Sequence, residues 1–219
     1  MTAAAWGGAR PGAGRKRLAR RKSVPHRTRP AHREIHPMHI TLRRIPLLPS
    51  FRKERIREMV LRQIHRLNDK TFQIVHFSIQ ANHLHLIVEA DTRETITKKM
   101  MGFAISFAKR LNAHVLRGRR GKVWSDRYFR RDVVGAGEMN NVLRYVFGNA
   151  KRHGVIPPDA AVLDDYSSAW TFDGWDVKLR PPVGVDHWPR PHPRTRLLRI
   201  DWIGGGLLPI AAAPRALKR

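Results

Sequence analysis

Thr71-Phe72-Gln73-Ile74-Val75-His76-Phe77-Ser78-Ile79-Gln80-Ala81-Asn82-His83-Leu84-His85-Leu86-Ile87-Val88 decides the fold, because it holds two β-rich runs joined by a short polar turn. Thr71 to Gln80 reads as one strand, Gln80-Ala81-Asn82 turns the chain, and His83 opens the next, so the two form a hairpin or closely adjacent strands. Side chains alternate across a strand, which puts His83 and His85 on one face while Leu84 and Leu86 point to the core. Two imidazoles about 7 Å apart on a rigid strand can share one metal ion. The pattern also suits two half-exposed strand residues, since 12 histidines in 219 residues give on the order of one chance His-x-His match.

Upstream, Met38, Ile40 and Leu42 alternate with His39, Thr41 and Arg43, a first strand that ends near Arg44 and is stopped by Pro46 and Pro49. Phe51 to Leu67 follows as a helix, with Ile56, Met59, Val60, Ile64 and Leu67 on its apolar face. Downstream, Thr92 or Thr95 caps a second helix whose stripe of Ile96, Met100, Phe103, Phe107 and Leu111 runs to about Val115. Phe103 and Phe107 on that stripe read as core rather than as platforms for bases. Arg117-Gly118-Arg119-Arg120-Gly121 turns the chain into a strand over Val123 to Val134, and Gly135 and Gly137 introduce a third helix. The order β-α-β-β-α-β-α predicts an α+β, ferredoxin-like split βαβ sandwich with helices on one face of the sheet. That fold does not fix function, since the same sheet serves many RNA-binding domains.

The third helix carries a second constellation. Met139, Val142, Leu143, Val146 and Ala150 recur at helical spacing as a buried stripe, which leaves Asn141, Tyr145, Asn149 and Arg152 on a neighbouring stripe. A phenol and an amide oxygen one turn apart suit a nucleophile beside a metal ligand, because Tyr can attack phosphorus once a cation has polarised the phosphate. An ordinary surface Tyr and Asn give the same spacing.

In this order, the His-hydrophobe-His strand, the long amphipathic helix, Gly121-Lys122-Val123-Trp124 with Tyr128-Phe129, Leu143-Arg144-Tyr145-Val146 with Asn149, and Tyr166-Ser167-Ser168 resemble the IS200-like single-tyrosine transposases. The resemblance spans about His36 to Trp175 and is most similar to the branch associated with repetitive extragenic palindromes (REP). It implies an HUH nuclease, named for two histidines around one hydrophobic residue, that cuts and joins single-stranded hairpin DNA. It further implies Tyr145 as catalytic nucleophile through a 5′-phosphotyrosine, and His83, His85 and Asn149 as ligands of a divalent metal, Mg2+ or Mn2+. Two imidazoles by themselves suit zinc or nickel as well. The family's usual proline after the helix asparagine is Ala150 here, which predicts a helix running a turn further toward His153. Gln73, Gln80, Glu89 and Asp126 offer substitute oxygens, and Tyr128 and Tyr166 are the competing nucleophiles.

Composition points to a polyanionic partner. The 43 Lys and Arg against 17 Asp and Glu give a net charge of +26, which favours salt-sensitive, largely sequence-blind phosphate contact. Arg119, Arg120, Arg127, Arg130, Arg131, Lys151 and Arg152 are the candidate DNA-contacting residues. No run of about 18 apolar residues occurs, and zero cysteines exclude disulfides and cysteine-ligated metal centres. Residues 1–33 hold ten Lys and Arg, no acid and no apolar signal region, and read as a disordered basic arm in a protein expected in the cytoplasm; the resemblance implies a bacterial protein, nucleoid-associated when bound to DNA. Residues 34–175 form the expected catalytic domain. Residues 176–219 are a Pro/Gly-rich extension whose Trp188, Leu197, Leu198, Ile200, Trp202 and Ile203 predict a short docking element.

Two other classes compete with the transposase: a non-catalytic or domesticated nucleic-acid-binding protein on the same fold, and a metal-dependent nuclease that uses water. Monomer and homodimer are both open, as are tyrosine helices acting in cis or in trans.

Overall fold

The computed structural model describes residues 31–185 and 188–211. The basic arm expected over 1–33 therefore lies almost wholly outside the described residues.

Four strands, β1 (Met38–Arg43), β2 (Phe72–Ile79), β3 (His83–Ala90) and β4 (Phe129–Asp132), form one antiparallel sheet in the order β2-β3-β1-β4. Helices α1 (Glu54–Leu67) and α2 (Arg93–Arg110) connect β1 to β2 and β3 to β4, and α3 (Ala136–Phe147) follows β4. This is the ferredoxin-like arrangement, with β1 and β3 in the middle of the sheet. Thr92 caps α2, its hydroxyl accepting from the Thr95 N–H at 3.1 Å. The stripe beyond Arg110 continues as a π-helical turn, Leu111–Val115. Arg117 and Gly118, both at positive φ, then reverse the chain.

Period-two alternation sorts the strands into two cores. Met38, Ile40, Leu42, Leu84, Leu86 and Val88 meet Ile56, Val60 and Ile64 of α1 and Met100, Phe103 and Phe107 of α2. The opposite face carries Val75 and Ile87 against Met139, Val142, Leu143 and Val146 of α3. The expectation of helices on one face is thus corrected: α1 and α2 cover one face and α3 covers the other. Alternation reveals that a strand has two faces, not which helix takes which. A bulge between Ile74 and His76 places both Val75 and His76 away from the α1/α2 core.

The strand expected over 123–134 is shorter, starting at Phe129. Trp124 still bridges Arg44, with the Ile45 N–H donating to the Val123 carbonyl at 2.9 Å and the Ser125 N–H to the Arg43 carbonyl at 2.8 Å, and the pairing lapses over 126–128 before β4 begins. The indole packs edge-on to Phe51, contacts Phe107 and donates to the Ala104 carbonyl at 2.9 Å.

The C-terminal extension is folded against both cores. Val185 and Trp188 join the first; Leu197 and Leu198 of α5 (Arg196–Arg199), Trp202 and Leu208 join the second, over α3. Its anchor is Glu89, fully buried, whose carboxylate accepts from the Arg194 N–H, the Thr195 N–H and the Thr195 hydroxyl at 2.6–2.9 Å. Tyr166-Ser167-Ser168 lies along the free edge of β2, where the Ile79 N–H donates to the Tyr166 carbonyl and the Phe77 N–H to Ser168 Oγ. Covering this edge satisfies backbone groups that would otherwise template pairing with another chain. The segment is pinned by a bidentate pair between Arg52 and the nearly fully buried Asp164, at 2.7 and 2.9 Å.

Candidate active site

The two central strands position the histidines. In the β1–β3 register Thr41 lies opposite His85, Arg43 opposite His83 and His39 opposite Ile87, so His39, Thr41, His83 and His85 share the face that α3 covers. His39, His83 and His85 are each buried, at 3–4 % exposure. His39 Nε2 is 2.9 Å from His85 Nδ1, and Thr41 Oγ1 is 3.3 Å from the same atom. Asn82 Oδ1 meets His83 Nδ1. With both Nδ1 atoms engaged, the two Nε2 atoms face each other 2.8 Å apart, on rings at 89°.

An Nδ1–H on each ring leaves two lone pairs aimed at one another, an arrangement that repels unless positive charge lies between them. A second proton on either ring is disfavoured. Burial, then the charge of Arg43, lowers His83 to about 3, and burial with the neighbouring histidines holds His85 well below its ordinary 6.5. A divalent cation suits the pair. Two nitrogens on adjacent corners of an octahedron with ~2.1 Å bonds lie about 3 Å apart, against about 3.4 Å for a tetrahedron. At 2.8 Å the two nitrogens are close enough to share one cation.

Asn149 opens α4 (Asn149–Arg152), one helical turn beyond Tyr145. It is fully buried; its Nδ2 donates to the Tyr145 carbonyl at 3.4 Å, while its Oδ1 is buried with no hydrogen-bond partner. Leaving such an acceptor unmet costs about 1–3 kcal/mol, which calls for an explanation, and a hard cation supplies one. Among the described residues no group of three or more His, Cys, Asp or Glu could hold a metal ion, so a cation at the His83–His85 pair would need a further donor of another type, such as this amide oxygen. Glu89, considered as a substitute oxygen, is taken up by the C-terminal extension.

Tyr145 sits half-buried on α3 with its ring edge against His85 and His39, at 5.2 and 5.8 Å between centroids, within one chain. The Arg152 guanidinium lies 5.6 Å from the Tyr145 ring centre. The helix does continue past Ala150: after a break at Gly148, Arg152 and His153 N–H groups donate to Gly148 and Asn149 carbonyls at 3.1 Å. That extra turn delivers His153, whose ring is 5.8 Å from His83. The competing tyrosines pack elsewhere. Tyr128 is buried in the α1/α2 core, and Tyr166 lies against that core beneath Arg52 and Arg57.

The candidate DNA-contacting residues divide. Arg120 and Arg152 are exposed, and Arg119 and Arg127 are half-buried, Arg119 bracing the turn through Asn112 Oδ1 and the Lys122 carbonyl. Arg131 pairs with Glu138. Arg130 and Lys151 are already engaged within the chain. The Arg130 side chain is 3 % exposed and forms a bidentate pair with Asp132 at 2.6 and 2.7 Å. Lys151 is buried, donating to the Ala160 carbonyl at 2.6 Å and to that of Ile210. The contacts made by Thr41, Asn82, Arg43 and His153 were not legible, because each depends on strand register or on where the helix ends. His39 joins the pair. His76 does not: it is enclosed by Phe147, Phe172 and Ser168 on β2, where burial lowers its pKa to about 3.

Among the described residues no helix is long and apolar enough to cross a membrane. A family model described as IS200-like transposase matches residues 31–149, more than half of the chain. No curated protein matches in sequence. Among solved structures, the chain is similar to a REP-associated tyrosine transposase bound to a REP hairpin, with a TM-score of 0.52 and 13% identity over 67% of this chain and 83% of that one. Likeness at that identity speaks to the fold.

Proposed function

The chain belongs to the IS200-like transposase family, and from that premise we propose that it is a metal-dependent endonuclease and strand transferase acting on single-stranded DNA hairpins, with Tyr145 as nucleophile. The observation that carries this reading is the meeting of Tyr145 with His85, 5.2 Å between rings, where the His85 and His83 Nε2 atoms converge. His83, His85 and the orphaned Oδ1 of Asn149 would hold the cation. When bound, it withdraws charge from the scissile phosphate and stabilises the in-line transition state.

The chain's own residues then act in sequence. Tyr145 Oη forms a bond to phosphorus as the bond from phosphorus to the 3′ oxygen breaks. The phenolic proton leaves to solvent and the departing 3′ oxygen gains one, giving a 5′-phosphotyrosine and a free 3′-hydroxyl. A second 3′-hydroxyl reverses the step and joins strands, since the covalent bond conserves the phosphodiester's energy. Arg152, beside the Tyr145 ring, and Arg43, opposite His83, balance the phosphate's charge.

The similar structure holds a REP hairpin, and a surplus of 26 positive charges suits a folded DNA single strand here as well. Residues 34–175 would form the catalytic unit, the extension buttressing α3, and the bacterial nucleoid would be its place of work. Incubation with labelled hairpin-bearing single strands should give nicking that requires Mn2+ or Mg2+ and stops with chelator, with protein retained on the 5′-phosphate end of the downstream fragment. Nicking that leaves no protein attached would contradict the reading.

A further inference from the structure

We infer that His39 is a positioning residue that fixes His85 as a ligand and seats Tyr145 beside it, an inference that rests on the reading above. Nothing in the isolated His83-Leu84-His85 motif dictates which ring nitrogen of His85 carries the proton. A free imidazole distributes it between the two, and only the Nδ1–H form presents the Nε2 lone pair toward His83. His39 supplies the acceptor that selects this form. Its Nε2 lies 2.9 Å from His85 Nδ1, with the rings stacked at 5.0 Å and 27°. Thr41 Oγ1, at 3.3 Å, is a longer second acceptor.

His39 is held in its turn. It is 4 % exposed and sits in β1 between Ile87 of β3 and Arg131 of β4, so its backbone is fixed by ladders on both sides. The edge of the same ring meets Tyr145 at 5.8 Å and 76°. One side chain therefore touches both the ligand and the nucleophile. Through His39, the orientation of a β3 imidazole and the seat of an α3 phenol are set by one strand that contributes neither.

The probe is Mn2+ alone, titrated into the full chain without DNA. His39→Phe keeps the ring volume and the Tyr145 contact but removes the acceptor; His39→Gln keeps an acceptor and loses the ring. Outer-sphere partners of metal-bound histidines typically contribute 10–100-fold in affinity, so His39→Phe should bind Mn2+ about 10–100-fold more weakly while melting near wild type. His39→Gln should stay close to wild type, and Thr41→Val should show a smaller loss. Nitrogen NMR of His85 should show Nδ1 protonated in wild type and both tautomers in His39→Phe. Because a ring swap in a packed strand can fail to fold, His39→Leu, acceptor-free and smaller, carries the same expectation. Mn2+ affinity and His85 tautomer unchanged in an acceptor-free variant would overturn the inference and leave the proposed function standing. Wild-type protein that takes up no Mn2+ would overturn both.

Discussion

The two faces of the sheet are built from alternate residues of the same strands, yet they bury opposite kinds of chemistry. Toward α1 and α2, Leu84, Leu86, Val88, Met38, Ile40 and Leu42 present only apolar side chains, and each is at most 2 % exposed. Toward α3, the interleaved His83, His85, His39 and Thr41 present a linked polar network, and one turn beyond Tyr145 on the covering helix Asn149 buries an amide oxygen with no partner. The comparison teaches a division of labour. Hydrocarbon burial on one face, at about 25 cal/mol per Å², fixes the backbone, and that rigidity lets the other face hold neutral imidazoles and an unmet acceptor in place.

Paired substitutions at neighbouring β3 positions give the largest expected effects. His83→Gln, of similar size and polarity, should reduce hairpin cleavage by at least about 10³-fold through loss of a metal ligand, with little change in unfolding free energy. Leu86→Ala should do the reverse, costing about 2–5 kcal/mol while cleavage persists wherever the protein stays folded. Denaturant titration and initial cleavage rates on both variants check the contrast. It breaks if His83→Gln unfolds the protein as readily as Leu86→Ala does.

Asn149→Ala sharpens the account of the polar face. Removing a buried acceptor without a partner should leave the metal-free protein as stable as wild type or about 1 kcal/mol more so. Mn2+ binding should weaken at least about tenfold, ~1.4 kcal/mol, by calorimetric titration. A loss of stability with unchanged Mn2+ binding would make Asn149 a structural residue.

The smallest expected effect is in pH dependence. His76, lowered to about 3 by burial, takes up a proton near 6.5 when unfolded but not when folded. Its contribution to stability is present above pH 6.5 and is lost as pH falls from there toward 3, at up to about 1.4 kcal/mol per pH unit. His39, lowered to about 4 by burial and by the charge of Arg131, adds to the slope with the same sign. Denaturant unfolding between pH 7.5 and 4.5 should show His76→Phe with a shallower slope than wild type. An identical slope would place the proton uptake elsewhere.

Element order was legible in the sequence because each element repeats locally: period two in β1 and β3, near 3.6 in α1, α2 and α3. The candidate pair His83 and His85, with Tyr145 and Asn149, was legible for the same reason, as each twosome lies within one element. What joins them was not. His39 and His85 are 46 residues apart, and their contact follows from the antiparallel register, which one strand's pattern does not fix. Lys151 looked like a surface charge because the Ile210 carbonyl that receives it lies 59 residues on. The shortened β4 was not legible because the lapse in pairing over 126–128, between the Arg44–Trp124 bridge and Phe129, leaves no mark in the apolar pattern.

The central claim is that Tyr145 forms a covalent bond to DNA at the cation held by His83 and His85. It is tested most directly by incubating the full chain with labelled single-stranded hairpin DNA and Mn2+, digesting the products and mapping the labelled peptide by mass spectrometry. The account predicts a phosphodinucleotide or longer DNA remnant on the peptide containing Tyr145, lost in Tyr145→Phe and with chelator. A remnant on Tyr128 or Tyr166, or cleavage that persists in Tyr145→Phe, would contradict it.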